Sequence, residues 1–491
     1  MPQTMLPVAA TARVSPTATA SRVGSNPAVR RWRSFKLQAA TAAGSPRTVD
    51  GARISGCPRL ARKCSMRVYS CQTLANTRLS HRRAAVVGAC PNRRGLTTHA
   101  SALPISITDR MDAGNIEVDR IDGSDVQLRI KKDPFTAGTD NMAHSQWFHF
   151  KASGVQGREC RFSITNCKET SYPDAWEGYN TCASFDAERW FRVPTEYDPT
   201  TGTLSWALTP DSADVWFAYF APYTYEQHKA LVARIGAHPA AELTVLGRTL
   251  EGRPLEMLTL GDGPAQVWVT ARQHPGESMA EWLAEGLLDR LLDDTEARAA
   301  ATWRVVPNMN PDGAIAGHLR TNASGANLNR EWAATGDYAA PTAERSPEVL
   351  AVLGEMDAVG VDLHLDIHGD EETPANFFAG FEGIPGVTAQ QLAHYAAFQD
   401  AMVAASPDFQ TKMGYTEDEP GAANLAICTN QIAHRFGCVS VTFEQPFKDC
   451  WNAPDPERGW CPERATALGS ATVTAVKGFI PTLLESRASA A

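Results

Sequence analysis

Two hydrophobic rhythms divide the chain. Between about residues 115 and 220 apolar and polar positions alternate in short runs, at 126–130, 146–150, 160–164, 203–208 and 215–220. Period-two alternation interrupted by Gly, Asp, Asn and Pro predicts an antiparallel β-sandwich over residues 110–228. Residues 226–235 read as a helix that begins the second region. Over 236–486 apolar strands alternate with amphipathic helices. Strands are expected at 267–270, 302–307, 361–367 and 439–443. Helices are expected at 278–292, where apolar residues recur at 279, 282, 283, 287, 288 and 291, at 347–359 behind Ser346 as N-cap, at 389–404 and at 422–436. This order predicts an α/β domain with a mixed sheet and helices on both faces.

In such sheets functional groups gather at strand ends, and three strand ends here carry chemistry. The first expected strand runs into Arg272-Gln-His274-Pro-Gly-Glu277, an imidazole and a carboxylate three apart. The strand at 361–367 runs into His368. Two histidines and one glutamate form the three-ligand set of a catalytic zinc with a fourth position open. The chain has no HExxH helix, so two separate strand ends must deliver these ligands. A third strand leads into Glu444, placed to serve as a general base that is not itself a ligand. The stretch from Asn310 to Arg330 adds Arg320, Asn329 and Arg330 in a Gly-containing loop. Arginine forks receive carboxylates bidentately and stabilise oxyanions. His364 lies four strand residues before His368, roughly 13 Å away, too far to share its metal, and reads as structural.

Charge separates the ends of the chain. Residues 1–108 hold 17 of the 46 Lys and Arg but one of the 55 Asp and Glu, leaving 29 basic and 54 acidic residues, a net of −25, for 109–491. A long Ala-, Ser-, Thr- and Arg-rich segment almost free of acids reads as an organelle transit peptide over 1–102, plastid before mitochondrion. The alternative is a basic disordered arm, with the body in the cytosol. The acidity of the body argues against nucleic acid as a partner, and no apolar run stands out as a membrane span. None of the eleven cysteines forms a CxxC pair. They read as free thiols, with Cys450 and Cys461 the one pair placed to bridge.

The ordered set HPGE, NPDG, the Arg of HLR, NLNR, DIHG and TFE resembles the zinc metallocarboxypeptidases, and among them the cytosolic carboxypeptidase subfamily. The runs QWFHF, FSITN and FAYFAPYTY resemble the N-terminal domain that precedes the catalytic domain there. The resemblance covers about 110–480. It implies one zinc per chain on His274, Glu277 and His368, and Glu444 as the base that activates water and protonates the departing amine. It implies Arg320 as the group that polarises the scissile carbonyl, and Asn329 and Arg330 as the holders of the terminal carboxylate.

Three departures from the family pattern follow from the same resemblance. Asn327 stands where the family usually has Asp orienting a zinc histidine, with Asp366 or Asp370 as possible substitutes. Asn424 falls where relatives that remove glutamate carry a basic pocket residue, with Arg435 and Lys412 as other basic candidates. Tyr415 is the nearest candidate for the tyrosine that closes on substrate. The expected function is metal-assisted removal of C-terminal amino acids from peptides or protein tails. A zinc amidase or deacylase of N-acyl amino acids would use the same groups, and an inactive binding module is the reading from another class.

Overall fold

The computed structural model describes residues 104–135 and 143–490. The expected leader, 1–102, lies outside them. The N-terminal region forms β1 (Ser106–Thr108), β2 (Glu117–Asp122), β3 (Asp125–Arg129), β4 (His149–Ser153), β5 (Cys160–Ile164), β6 (Thr181–Ser184), β7 (Trp190–Val193), β8 (Thr195–Asp198), β9 (Thr203–Leu208) and β10 (Asp214–Ala218). These make two five-stranded sheets, ordered β1-β4-β10-β6-β7 and β2-β3-β5-β9-β8. The pairing is antiparallel apart from β3 with β5, which run parallel, a departure from the all-antiparallel expectation. Alternate residues of both sheets, among them Phe150, Phe162, Trp206 and Phe217, meet as tilted or stacked rings in a buried aromatic core.

The second region runs α1 (Tyr225–Gly236), β11 (Ala241–Arg248), β12 (Pro254–Leu260), β13 (Ala265–Ala271), α2 (Met279–Asp293), α3 (Thr295–Ala300), β14 (Ala301–Val306), α4 (Pro311–Ala316), α5 (Pro347–Val359), β15 (Leu363–Ile367), β16 (Phe377–Ala379), α6 (Ala389–Ala405), α7 (Cys428–Phe436), β17 (Val439–Glu444) and α8 (Pro462–Ala490). The seven-stranded sheet is ordered β11-β12-β14-β13-β15-β17-β16. Its centre, β14-β13-β15-β17, is parallel and its margins are antiparallel. Because strand residues alternate faces, Val267, Val269, Leu363, Leu365, Val439 and Val441 pack in one core with α2, α6 and α8. Trp268 packs on the other face with α5 and α7 residues. The same face buries a polar column, in which Thr270 Oγ1 contacts His364 Nε2 (3.0 Å) and Asp366 Oδ1 (2.8 Å) and His364 Nδ1 meets Ser440 Oγ (2.8 Å). His364 thus has both ring nitrogens engaged within this column, by Thr270 and Ser440.

The sandwich and the seven-stranded sheet share one hydrophobic core. Arg192 Nη2 donates across the junction to the carbonyls of Phe447 (2.8 Å) and Trp460 (2.9 Å), and Tyr219 stacks on Phe447 at 4.4 Å.

Three expectations change. The helix expected at 422–436 begins only at Cys428, because Asn424 Oδ1 accepts from Ala426 N (2.9 Å) and holds a turn. Ser346 stands at the N-cap of α5, but its hydroxyl donates to Glu331 Oε2 (3.0 Å) instead of capping the helix. The third change is α8, which sequence periodicity did not delimit. Its segment Pro462–Glu485 is long and apolar enough to cross a membrane, yet Leu468, Val476, Phe479 and Ile480 are buried in the protein core. Its close approach to α2 rests on two glycines, since a Cβ at Gly286 would lie 2.0 Å from Thr466 O and one at Gly469 2.0 Å from Leu283 O. The described cysteines, Cys450 and Cys461 included, are all free and buried, in keeping with their reading as free thiols.

Candidate active site

β13, β15 and β17 are parallel neighbours, so their C-terminal ends open on one edge of the sheet. His274 and Glu277 follow β13, His368 follows β15 and Glu444 closes β17. The turn out of β13 passes through Arg272, whose φ of +60° puts a non-glycine residue in the left-handed region. Such a conformation costs of order 1–3 kcal/mol and needs support. Arg272 receives it from the chain around it. Nε donates to Pro275 O (3.0 Å), and Nη1 donates to Tyr223 O (2.7 Å) and Glu281 Oε2 (2.8 Å).

Beyond this turn the three ligand candidates converge. Glu277 Oε1 lies 2.7 Å from His274 Nδ1, Glu277 Oε2 lies 2.8 Å from His368 Nδ1, and the two Nδ1 atoms are 3.1 Å apart. All three side chains are buried. Two imidazole nitrogens turned toward one another and toward one carboxylate are the donor set of a zinc site, and one ligand atom from each residue falls within 4.8 Å of the others. The far sides of the rings are also fixed. His274 Nε2 donates to Asn327 Oδ1 (3.0 Å) and His368 Nε2 to Asp366 Oδ2 (2.9 Å). Outer acceptors of this kind leave Nδ1 free for a metal.

Charge agrees with that role. Burial opposes ionisation of Glu277, but the two histidines hold its carboxyl well below the usual range. Burial, helped by Arg320, lowers His274 to about 4, so it is neutral. Burial works against a proton on His368 as well, yet Asp366 and Glu277 raise it well above 6.5, so protons and metal compete for this ring.

Glu444 is buried beside this cluster. Burial raises its pKa to about 8, with Glu277 and Asp370 adding to the rise and His368 opposing it. Oε1 lies 3.1 Å from the Tyr415 hydroxyl, and Oε2 has no hydrogen-bond partner. Tyr415 Oη also donates to Asp370 Oδ2 at 2.6 Å. Tyr415 thus reaches Glu444, and Asp370 serves Tyr415 and not a histidine. A cleft of about 520 Å³ opens over the cluster, lined by Arg320, Asn329, Arg330, Tyr415 and Lys412. Asn329 Oδ1 accepts from Cys428 N (2.8 Å), which leaves its amide nitrogen for the cleft, and Arg330 Nη1 donates to Asn329 O (2.7 Å).

Asn424 is misplaced by the sequence reading. It holds the turn before α7 and is not a lining residue, whereas Thr429 and Asn430, one helical turn later, are. Arg435 pairs with Asp357 at the exposed end of α7, away from the cleft. The sequence reading also missed three cleft residues or supports. Tyr172, from the sandwich, lines the cleft. Glu371 lines it too, buried, with Oε1 unpartnered, and burial pushes its carboxyl well above the usual range. Gln273 ties the site to its surroundings, donating to Asp366 Oδ2 (2.5 Å) and accepting from Trp332 Nε1 (2.8 Å). Gln273, adjacent to His274, and Glu371, adjacent to Asp370, stood near a sequence signal, whereas Tyr172 did not.

Comparison with known proteins agrees with this geometry. Residues 107–220 match the cytosolic carboxypeptidase N-terminal domain and residues 229–416 match the zinc carboxypeptidase domain. A metallo-carboxypeptidase of Burkholderia cenocepacia is 43% identical, with a TM-score of 0.72, covering 77% of this chain and all of its own. A metallo-carboxypeptidase of Pseudomonas aeruginosa, in complex with (2-guanidinoethylmercapto)succinic acid, is 42% identical with a TM-score of 0.71, at 77% and 100% coverage. An uncharacterized protein of Zymomonas mobilis is 44% identical over 75% of this chain and 94% of its own length. The chain belongs to the zinc carboxypeptidase family and is a hydrolase of that class. Cytosolic carboxypeptidase 6 of Caenorhabditis elegans is 23% identical over 68% of this chain and 77% of its own length.

Proposed function

We propose that the protein removes C-terminal residues from peptides or protein tails, using one zinc ion per chain held by His274, Glu277 and His368. The observation that carries this reading is the meeting of two Nδ1 atoms and the Glu277 carboxylate beside a buried base, in a cleft that also holds two arginines. Zinc, when bound, supplies the Lewis acidity that lets water attack near neutral pH.

The chain's own residues supply the rest. Glu444 takes a proton from the attacking water and returns it to the leaving amine. Its raised pKa suits both halves of that exchange. Arg320 holds the scissile carbonyl oxygen as negative charge develops on it. The Asn329 amide and the Arg330 guanidinium receive the terminal carboxylate. Tyr415 covers the base and keeps bulk water from it. The ligand of the Pseudomonas relative is a succinic acid derivative, and its carboxylates are the kind of group such a clamp would take.

The test uses the purified full chain. Metal content is measured, and C-terminal trimming of a peptide mixture is followed by mass spectrometry. Stoichiometric zinc, trimming that requires a free carboxylate, and loss of trimming in Glu444→Gln are expected. Equal trimming of C-terminally amidated peptides, or full activity in Glu444→Gln, would refute the reading.

A further inference from the structure

The loop that carries Arg320 has an anchor outside its own domain. Leu319 N donates to Asp133 Oδ1 at 2.7 Å, and Arg320 N and Thr321 N donate to Asp133 Oδ2 at 2.8 and 3.1 Å. Thr321 Oγ1 also lies 3.1 Å from Oδ2. Three consecutive backbone amides folded around one carboxylate form an anion nest. Asp133 itself is buried. It follows β3 of the sandwich, and its own N–H is tied to His144 O at 2.8 Å.

This anchor sits one peptide from the arginine side chain and two steps from the metal ligands. Leu319 O accepts from Gly276 N at 2.9 Å, inside the loop between His274 and Glu277. A Cβ at Gly276 would come within 2.9 Å of that same oxygen. His318 Nδ1 donates to Thr321 O (3.0 Å) and closes the loop on its other side. The 318–321 segment is thus held on the catalytic side by the HPGE loop and on the opposite side by one sandwich carboxylate.

We infer that Asp133 is a positioning residue for the active site, acting through the backbone of Arg320, so that the sandwich domain completes the catalytic machinery instead of merely flanking it. This rests on the reading of Arg320 as the carbonyl-polarising group. The carboxylate is the right group because it accepts from every amide in the nest. Asn at the same place keeps the shape but turns one oxygen into an NH2 that faces a backbone N–H.

The experiment is a double-mutant cycle in the full chain, with Asp133→Asn, Arg320→Ala and the pair, assayed on a peptide that the wild type trims. Asp133→Asn should retain zinc and lower kcat by about 10- to 100-fold with little change in KM, because the carbonyl contact strengthens in the transition state. Arg320→Ala should lose more, and the pair should be no worse than Arg320→Ala alone, since a residue acting only through Arg320 has nothing left to position. Amide hydrogen exchange at 319–321 should quicken in Asp133→Asn while the rest of the chain keeps its protection. A merely structural role would instead multiply the two losses. Unchanged kcat in Asp133→Asn, or multiplied losses in the pair, overturns the inference and leaves the Arg320 reading standing. Unchanged kcat in Arg320→Ala overturns the Arg320 reading and this inference with it. If Asp133→Asn does not accumulate folded, Thr321→Ala removes one of the four bonds. Its loss in kcat, smaller than that of Asp133→Asn, should likewise vanish in the Arg320→Ala background, and no loss at all would count against the inference.

Discussion

Asn327 Oδ1 stands 3.0 Å from His274 Nε2, an uncharged acceptor in the place where Asp366 offers His368 a carboxylate at 2.9 Å. The two histidines proposed to hold the metal are therefore oriented alike but charged unequally from behind. A carboxylate partner raises the basicity of an imidazole ligand and an amide does so less. Asp366→Asn should weaken zinc about 10- to 100-fold, and Asn327→Asp should tighten it. Competition with a chromophoric chelator measures both. Equal affinities in all three proteins would show that these acceptors only orient the rings.

The base gives a pH prediction. Activity needs Glu444 ionised, so it should fall as pH drops through the Glu444 pKa. That value is about 8 without metal, and a bound dication nearby moves it lower. The Tyr415 hydroxyl also lowers it. Tyr415→Phe should shift the acid limb of the kcat/KM profile to higher pH. A limb that stays in place would remove Tyr415 from contact with the base in the working enzyme.

Stability should depend on pH through His228. Its Nδ1 lies 2.6 Å from Glu281 Oε1 and its Nε2 3.4 Å from Glu256 Oε2. Burial alone would lower its pKa, but the two carboxylates carry it to about 9 from 6.5. The folded protein holds this proton more tightly than the unfolded chain. The stabilisation is complete below about 6.5 and is lost as pH rises through about 9, by roughly 3 kcal/mol. Urea denaturation at pH 6 and pH 9.5 should show this loss in the wild type and a much smaller one in His228→Gln.

Packing of α8 supplies a mechanical test. Gly286→Ala places a methyl 2.0 Å from Thr466 O. Overpacking of this kind costs about 1–3 kcal/mol, which should outweigh the gain of about 1 kcal/mol that Ala brings to a helix. Gly354→Ala in α5, with nothing within 4 Å of the added carbon, should be neutral or stabilising. Thermal denaturation of the two variants reads the difference directly.

What could be read from the sequence follows from where each residue sits. His274, Glu277, His368 and Glu444 close apolar strands, and a strand that ends in an imidazole or carboxylate is visible in one dimension. The exact bounds of β5, β9 and α5 were legible for the same reason, because their periodicity is unbroken. Asn424 was misassigned because the chain between Gly421 and Cys428 turns without a period, so that counting residues gives no direction. Asp133 and Tyr172 were invisible. Each is a single loop residue of the sandwich that acquires its meaning from a segment more than a hundred positions away. The unequal acceptors behind the histidines were half visible. Asn327 stood out as a departure, while the partition of Asp366 to His368 and Asp370 to Tyr415 required coordinates.

The parallel register of β13, β15 and β17 makes the sheet a ruler. Val269, Leu365 and Val441 lie side by side on three consecutive strands, and parallel strands stand roughly 4.8 Å apart whatever their side chains. The spacing of the loop that carries His274 and Glu277, of His368 and of Glu444 is therefore graduated by backbone hydrogen bonds rather than chosen by the loops. Loops and pocket can drift while the distance between the strand ends that carry His368 and Glu444 stays calibrated, and any change that slips β15 against its neighbours would spoil the scale at once.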